Sequence, residues 1–203
     1  MNMADTYPSL TGRPVIVTGG SRGLGREMAL ALAAAGASVA VLGSRAGPAL
    51  DETVAEARRL GQGNAIALVA DVTDYAQCEA AITATLSAFG RIDALINNAG
   101  LGMRRVSETF NTAPARFWET DPVAWRQIVD INLNGAFNMA RAAVPHMVAQ
   151  GFGKLINIST SDQTMVRRGY SPYGPSKAGL EAASRVWAQD LIGTGVDVNV
   201  YLP

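Results

Sequence analysis

Thr18-Gly19-Gly20-Ser21-Arg22-Gly23-Leu24-Gly25 follows directly on the apolar run Val15-Ile16-Val17 and leads directly into a long helical pattern. A strand passed into a helix through a glycine-rich turn is the start of a βα unit. Glycines there serve a tight turn, close approach of the backbone to a bound group, and close packing of helix on sheet. The exposed amides at the helix N-terminus suit an anionic ligand, phosphate above all.

Working outward, the β-rich runs recur at Val39–Leu42, Ala65–Val69, Ala94–Ile96, Leu155–Ile158 and Val196–Val200. They are nearly continuous in apolarity, as strands of a parallel sheet covered on both faces are. Helical patterns with legible ends lie between them. Gly36 and Gly61 read as residues just past a helix end, and Gly90 as a stop. Asp74 with Gln77 reads as a capping box, and Asp121-Pro122 as N-cap and first helical residue. Six strands and five helices are expected, in an α/β, Rossmann-like, doubly wound parallel sheet of two three-strand halves with helices on both faces. The longest irregular stretch runs from about Leu101 to Thr120, and loops of that length inside a domain are usually functional.

The chain has 203 residues, 48% hydrophobic and 17% charged, with 17 basic residues against 17 acidic. That supports one domain over 1–203 and argues against disorder. It also gives no electrostatic basis for a nucleic-acid or membrane-surface partner. The apolar stretch Met28–Leu42 changes period at Gly36, which reads as helix then strand rather than a membrane span. MNMADTYPSL has no basic segment and no apolar core, so no targeting signal is expected. Cys78 stands alone, which excludes an intramolecular disulfide and suits a reducing, cytoplasmic compartment. One His and one Cys give no zinc site, and His146 reads as a surface residue late in a helix.

Three further motifs join the glycine turn in order: Asp71-Val72 after the third strand, Asn97-Asn98-Ala99-Gly100 after the fourth, and Tyr173-Gly174-Pro175-Ser176-Lys177 opening a helix after the fifth. Together they resemble the short-chain dehydrogenase/reductase superfamily, in its compact single-domain branch, from Leu10 to Pro203. Tyr173 and Lys177 are four apart and so share a helix face. For a tyrosine to exchange a proton near neutrality its pKa must fall from about 10 to about 7, roughly 4 kcal/mol. A neighbouring ammonium supplies part of that. The resemblance implies Tyr173 as general acid/base, with Lys177 lowering its pKa and holding the nicotinamide ribose. Tyr170 is a nearby decoy, separated by the helix-breaking Ser171-Pro172.

The resemblance also implies a substrate-orienting Ser about thirteen residues before the Tyr. That count lands on Thr160, with Ser161 as the alternative, while Ser159 is expected to point away. It implies an Asn at position 132, whose carbonyl holds a water linking Lys177 to solvent. Cofactor contacts are expected from Gly19, Ser21, Arg22, Gly23, Leu24 and Gly25, from Asp71 and Val72 at the adenine, and from Asn98, Ala99 and Gly100 beside the nicotinamide. The end of the second strand, where an NAD-preferring relative carries an acidic residue, is Gly43-Ser44-Arg45. Arg45 and Arg22 suit a 2′-phosphate, so NADP(H) is preferred to NAD(H).

The expected reaction is hydride transfer between NADP(H) and a small-molecule carbonyl or secondary alcohol. The alternatives are the same chemistry with NAD, or a nucleotide-binding module without turnover. The latter rests on the chain stopping at Pro203, where relatives continue into a substrate lid and a last strand. Met103, Arg104, Arg105, Phe110, Phe117 and Trp118 in the long loop, and Arg167-Arg168 before Tyr173, are candidate pocket residues or plain surface and packing residues. By resemblance, Leu180, Ala183, Val186, Trp187 and Leu191 form a stripe that packs against a symmetry mate in a homodimer or homotetramer.

Overall fold

A computed structural model describes residues 9–61 and 64–203 of the chain. Most of the stretch expected to lack a targeting signal, residues 1–8, lies outside the described residues. The six strands are β1 (Pro14–Thr18), β2 (Ser38–Gly43), β3 (Ala65–Val69), β4 (Ala94–Asn97), β5 (Gly153–Ile158) and β6 (Val196–Tyr201). All are parallel, in the order β3-β2-β1-β4-β5-β6. The chain therefore reverses direction across the sheet between β1 and β4, which leaves a crevice at their C-terminal ends.

Alternation along each strand divides the core in two. Val15, Val17, Val39 and Val41 point to a layer closed by α1 (Gly23–Ala34) and α2 (Pro48–Leu60). Ile16, Ala40, Leu42 and Leu95 point to the opposite layer. That layer is closed by α3 (Tyr75–Phe89) and by α5 (Gly135–Gln150), which continues a rod begun by α4 (Pro122–Val129) and one π turn (Asp130–Asn134). Two further helices are α6 (Asp162–Met165) and α7 (Tyr173–Asp190).

The expected strands and the doubly wound architecture are present, and the helices show where local signals were incomplete. Gly36 and Gly90 are left-handed at φ 95° and 77°, as suits a residue past a helix end. Gly61 also follows directly on the end of α2 at Leu60, as expected, but with an extended backbone, at φ −96° and ψ 156°. A β-carbon there would stand 2.7 Å from the Ala33 carbonyl oxygen, so close approach of α2 to α1 calls for the glycine. Asp74 caps α3 through the amides of Ala76 and Gln77, but the reciprocal half of the box is replaced. Gln77 donates to the Asp74 carboxylate at 2.9 Å and accepts from the Asp71 amide at 2.9 Å, tying the turn after β3 to the helix. Asp121 and Pro122 start α4 as expected, with Asp121 accepting from the Val123 amide at 3.0 Å. The short α6 falls where only loop was expected; Ser161 nucleates it by capping Thr164.

Among the described residues no helix is long and apolar enough to cross a membrane, and Met28–Leu42 divides into the end of α1 and most of β2. In the stripe on α7, Leu180 and Leu191 turn into the protein's own interior, while Val186 remains exposed. Trp187 packs half-buried against the core and against Phe137, with ring centroids 6.3 Å apart.

Candidate active site

The glycine turn closes over the end of β1. A β-carbon on Gly25 would lie 2.3 Å from the Gly19 carbonyl oxygen and 2.5 Å from Asn98 Nδ2, so only hydrogen fits. Gly23, at φ 55°, opens α1 with free space around it. The Thr18 hydroxyl accepts from the amides of Asn98 and Ala99, each at 3.0 Å. Asn98 Nδ2 donates back to the carbonyls of Thr18 (2.9 Å) and Gly19 (3.3 Å). β1 and β4 are thereby latched together on the rim of the crevice.

A cleft of about 420 Å³ occupies that crevice. Its floor is the turn itself, with Gly19, Ser21, Arg22, Gly23, Leu24 and Gly25. Ser44 follows from the end of β2, Asp71 and Val72 from β3, and Asn98, Ala99 and Gly100 from β4, so the expected contact residues other than Arg45, Tyr173 and Lys177 share one surface. Asn98 lines the cleft while its amide turns inward onto the glycine turn. Asp71 Oδ1 accepts from both the amide (2.9 Å) and the hydroxyl (2.8 Å) of Thr73, which fixes the loop after β3. Arg45 lines the adjoining opening together with Arg22, Ser44 and Arg105. Among the described residues neither Arg22 nor Arg45 pairs with a carboxylate, and both are exposed.

The second cluster gathers where β5 ends and α7 begins. Tyr173 is the first residue of α7 and Lys177 lies one turn on, with Lys177 Nζ 5.9 Å from the Tyr173 ring centroid. Lys177 is 5% exposed, and Nζ donates to the Ile158 carbonyl at 2.6 Å. Burial draws its pKa down to about 8. Thr160 is buried and near enough to the Tyr173 phenol to act on its pKa. Burial raises the phenol's pKa, the Thr160 contact opposes that, and Tyr170 adds to the rise. The chain's own groups thus hold Tyr173 above its ordinary range, in contrast to the expected depression by Lys177. Burial is the foremost cause, and Lys177, whose Nζ is bound to the Ile158 carbonyl, is not among the groups that lower the phenol's pKa.

Of the two alternatives for the orienting hydroxyl, Thr160 faces the phenol. Ser161 is exposed and spends its hydroxyl on the Thr164 amide (3.3 Å) and hydroxyl (3.1 Å). Ser159 points away, as expected, and donates to Glu181 Oε1 at 2.6 Å. Asn132 is 1% exposed in the π turn. Its Oδ1 accepts from the Leu101 amide at 2.7 Å, and its Nδ2 donates to the Leu101 carbonyl (3.0 Å) and to Ser176 Oγ (3.1 Å). Ser176 in turn donates to the Tyr173 carbonyl at 2.7 Å. The Asn132 side chain therefore fastens the start of the 101–120 loop to the first turn of α7.

Several contributors carried no isolated signal. Thr18 reads as the last residue of a strand, and its latch needs β4 beside it. Asn97 donates to Asn157 Oδ1 (2.9 Å) and Asn157 to Ser184 Oγ (2.8 Å), a buried polar line joining β4, β5 and α7. The visible hint was an Asn inside the apolar run Leu-Ile-Asn-Ile. Phe117 and Trp118 lie on the surface edge to face, 5.1 Å apart. Arg167 is engaged by Tyr170, while Arg168 and His146 are exposed.

A parallel sheet with an amide-lined cleft at its switch point, and a Tyr/Lys/Thr cluster at the end of β5, define an NAD(P)-dependent oxidoreductase. The chain belongs to the short-chain dehydrogenase family, whose model matches residues 13–203. It is 37% identical over 195 residues to a 3-oxoacyl-[acyl-carrier-protein] reductase of Synechocystis sp., covering 96% of this chain and 74% of that one. A metagenomic short-chain oxidoreductase solved in complex with NADP superposes with TM-score 0.85 at 29% identity, over 96% of this chain and 83% of that one. NAD+-bound xylitol dehydrogenase superposes with TM-score 0.86 at 28% identity, over 96% and 70%.

Proposed function

We propose that the protein transfers hydride between NADP(H) and a small carbonyl or secondary alcohol, with Tyr173 as general acid/base. The observation that carries this reading is the buried Lys177 ammonium one helical turn from Tyr173, 5.9 Å from its ring centroid, with the buried Thr160 beside them at the end of β5. The residues present fit a dinucleotide. The Gly25 position would be filled by any β-carbon, which keeps the turn open-floored, and the α1 N-terminus faces the cleft. Gly19, Ser21, Gly23 and Leu24 would hold the pyrophosphate, Asp71 and Val72 the adenine, and Asn98, Ala99 and Gly100 the nicotinamide side. Bound there, the nicotinamide supplies the hydride for reduction and accepts it in oxidation.

The chain's residues do the rest. Thr160 and Tyr173 take the substrate oxygen between their hydroxyls, and Tyr173 delivers the proton to it in reduction or removes it in oxidation. Lys177 binds the ribose from the first turn of α7. Asn132 holds the loop and α7 in register. Arg22 and Arg45, free of carboxylate partners among the described residues, favour a 2′-phosphate, in keeping with the NADP-bound neighbour. The NAD+-bound neighbour supports NAD(H) as the second cofactor. The open apolar face around Phe137, Val186 and Trp187 supports a homodimer or homotetramer, and the lone buried Cys78 suits a cytoplasmic setting.

Absorbance of NADPH or NADH followed with a panel of ketones and β-ketoesters tests the reading. NADPH-dependent turnover lost in Tyr173→Phe is expected, and Arg45→Asp should shift preference toward NADH. Cofactor binding without turnover by the wild type would favour a nucleotide-binding module. An unchanged cofactor ratio in Arg45→Asp would remove the 2′-phosphate argument.

A further inference from the structure

Tyr170 lies three residues before Tyr173, outside α7, yet it is 9% exposed. Its ring meets Tyr173 edge to face, with centroids 6.2 Å apart and planes at 82°. On the other side it meets Phe110 of the 101–120 loop at 5.9 Å and 61°. Its hydroxyl donates to Asn111 Oδ1 at 3.2 Å and accepts from Arg167 at 3.2 Å, and the Arg167 guanidinium lies 5.0 Å over the ring. Gly169, at φ 81°, has Pro114 so near that a β-carbon would come within 2.4 Å of it. The segment before α7 is thus pressed against the middle of the long loop, with Tyr170 filling the joint.

We propose that Tyr170 is a positioning residue that couples the 101–120 loop to Tyr173: its ring fixes the tilt of the phenol toward Thr160, and its hydroxyl holds the loop at Asn111. The proposal rests on Tyr173 being the general acid/base. Two halves of the side chain do separable work. The ring touches Tyr173 and bears on the chemical step. The hydroxyl touches only Asn111 and Arg167, and it bears on the loop that lies beside the substrate.

Tyr170→Phe keeps the ring and removes the hydroxyl, whereas Tyr170→Leu keeps apolar volume without an aromatic edge. Each is assayed for NADPH affinity by cofactor fluorescence, for kcat and KM with ethyl acetoacetate, and for tryptic cleavage at the exposed loop residues Arg104, Arg105 and Arg116 of the folded chain. For Tyr170→Phe, faster loop cleavage and a KM raised about threefold with kcat little changed are expected. For Tyr170→Leu, kcat should fall about tenfold as the reacting group loses its orientation, with NADPH affinity unchanged. Equal kcat losses in both variants, or loop cleavage at the wild-type rate in both, would overturn the proposal. Turnover surviving Tyr173→Phe would instead overturn the general-acid reading. Loop cleavage, which needs no substrate, would still report on the coupling at Asn111.

Discussion

Lys177 Nζ donates to the carbonyl of Ile158 at 2.6 Å, so the first turn of α7 is pinned to the last residue of β5. Thr160 follows two residues later, so this bond, with those of Asn157 to Ser184 and Ser159 to Glu181, holds Thr160 and Tyr173 at the same junction of β5 and α7.

That lysine has a measurable pH signature. Burial lowers its pKa from the ordinary 10.5 to about 8, so between those values the unfolded chain binds more protons than the native one. Stability from this group then rises as pH climbs from about 8 to about 10.5, by roughly 3 kcal/mol in total. Denaturant titrations of the wild type and Lys177→Met should show the two curves converging or crossing as pH rises through that window. A pH-independent difference between them would contradict the burial effect.

On the proposed reading, the adjacent Thr160 and Ser161 hydroxyls differ in function. Thr160→Val should reduce kcat by about 10² or more, as loss of an orienting donor at the reacting oxygen does. Ser161→Ala should leave kcat near wild type and cost about 1 kcal/mol or less through the lost cap of α6. Steady-state kinetics beside thermal melts would separate the two effects, and a larger kcat loss in Ser161→Ala would reverse the assignment.

At Gly25 the added methyl meets backbone, the Gly19 carbonyl, and the Asn98 amide that latches β4. Gly25→Ala should destabilise the chain by about 1–3 kcal/mol and weaken NADPH binding, because the floor of the cleft must move. Gly23→Ala meets no atom within 4 Å but must adopt φ 55°, so its cost is conformational and its binding defect smaller. Melting temperature and cofactor titration of the pair distinguish crowding from backbone strain.

Cys78 is fully buried, with its Sγ donating to the Val72 carbonyl at 3.4 Å, and burial foremost pushes its pKa up to about 11. Alkylation by iodoacetamide at pH 8 should be slow in the native protein and fast in denaturant. Mass spectrometry of the intact chain over time provides the measurement.

Much of the fold was legible because its signals are local. A buried parallel strand is a continuous apolar run, as β2 is over Val39–Leu42, and the run Ala65–Val69 gives the bounds of the half-exposed edge strand β3. Helix ends were readable where backbone sign or a capping carboxylate decided them, at Gly90, Asp74 and Asp121. Gly61 was placed correctly just past α2, but the reason a glycine stands there, close approach to Ala33, is tertiary. The π turn at Asp130–Asn134 left no trace in periodicity, since one widened turn barely shifts an apolar stripe.

The sequence by itself determined the order of the strands along the chain, the glycine turn after the first of them, and a Tyr and Lys one helical turn apart. Each depends on residues close in the chain. Only the tertiary structure decided that Thr160 is buried while Ser161 is spent on Thr164, that Asn132 turns inward to hold Leu101, and that Tyr170 bridges Phe110 and Tyr173. The reason is physical: a side chain's partner is set by which elements pack beside it. The elements meeting at this site, from β1 at residue 14 to α7 at residue 173, are far apart in sequence and adjacent only in the folded sheet.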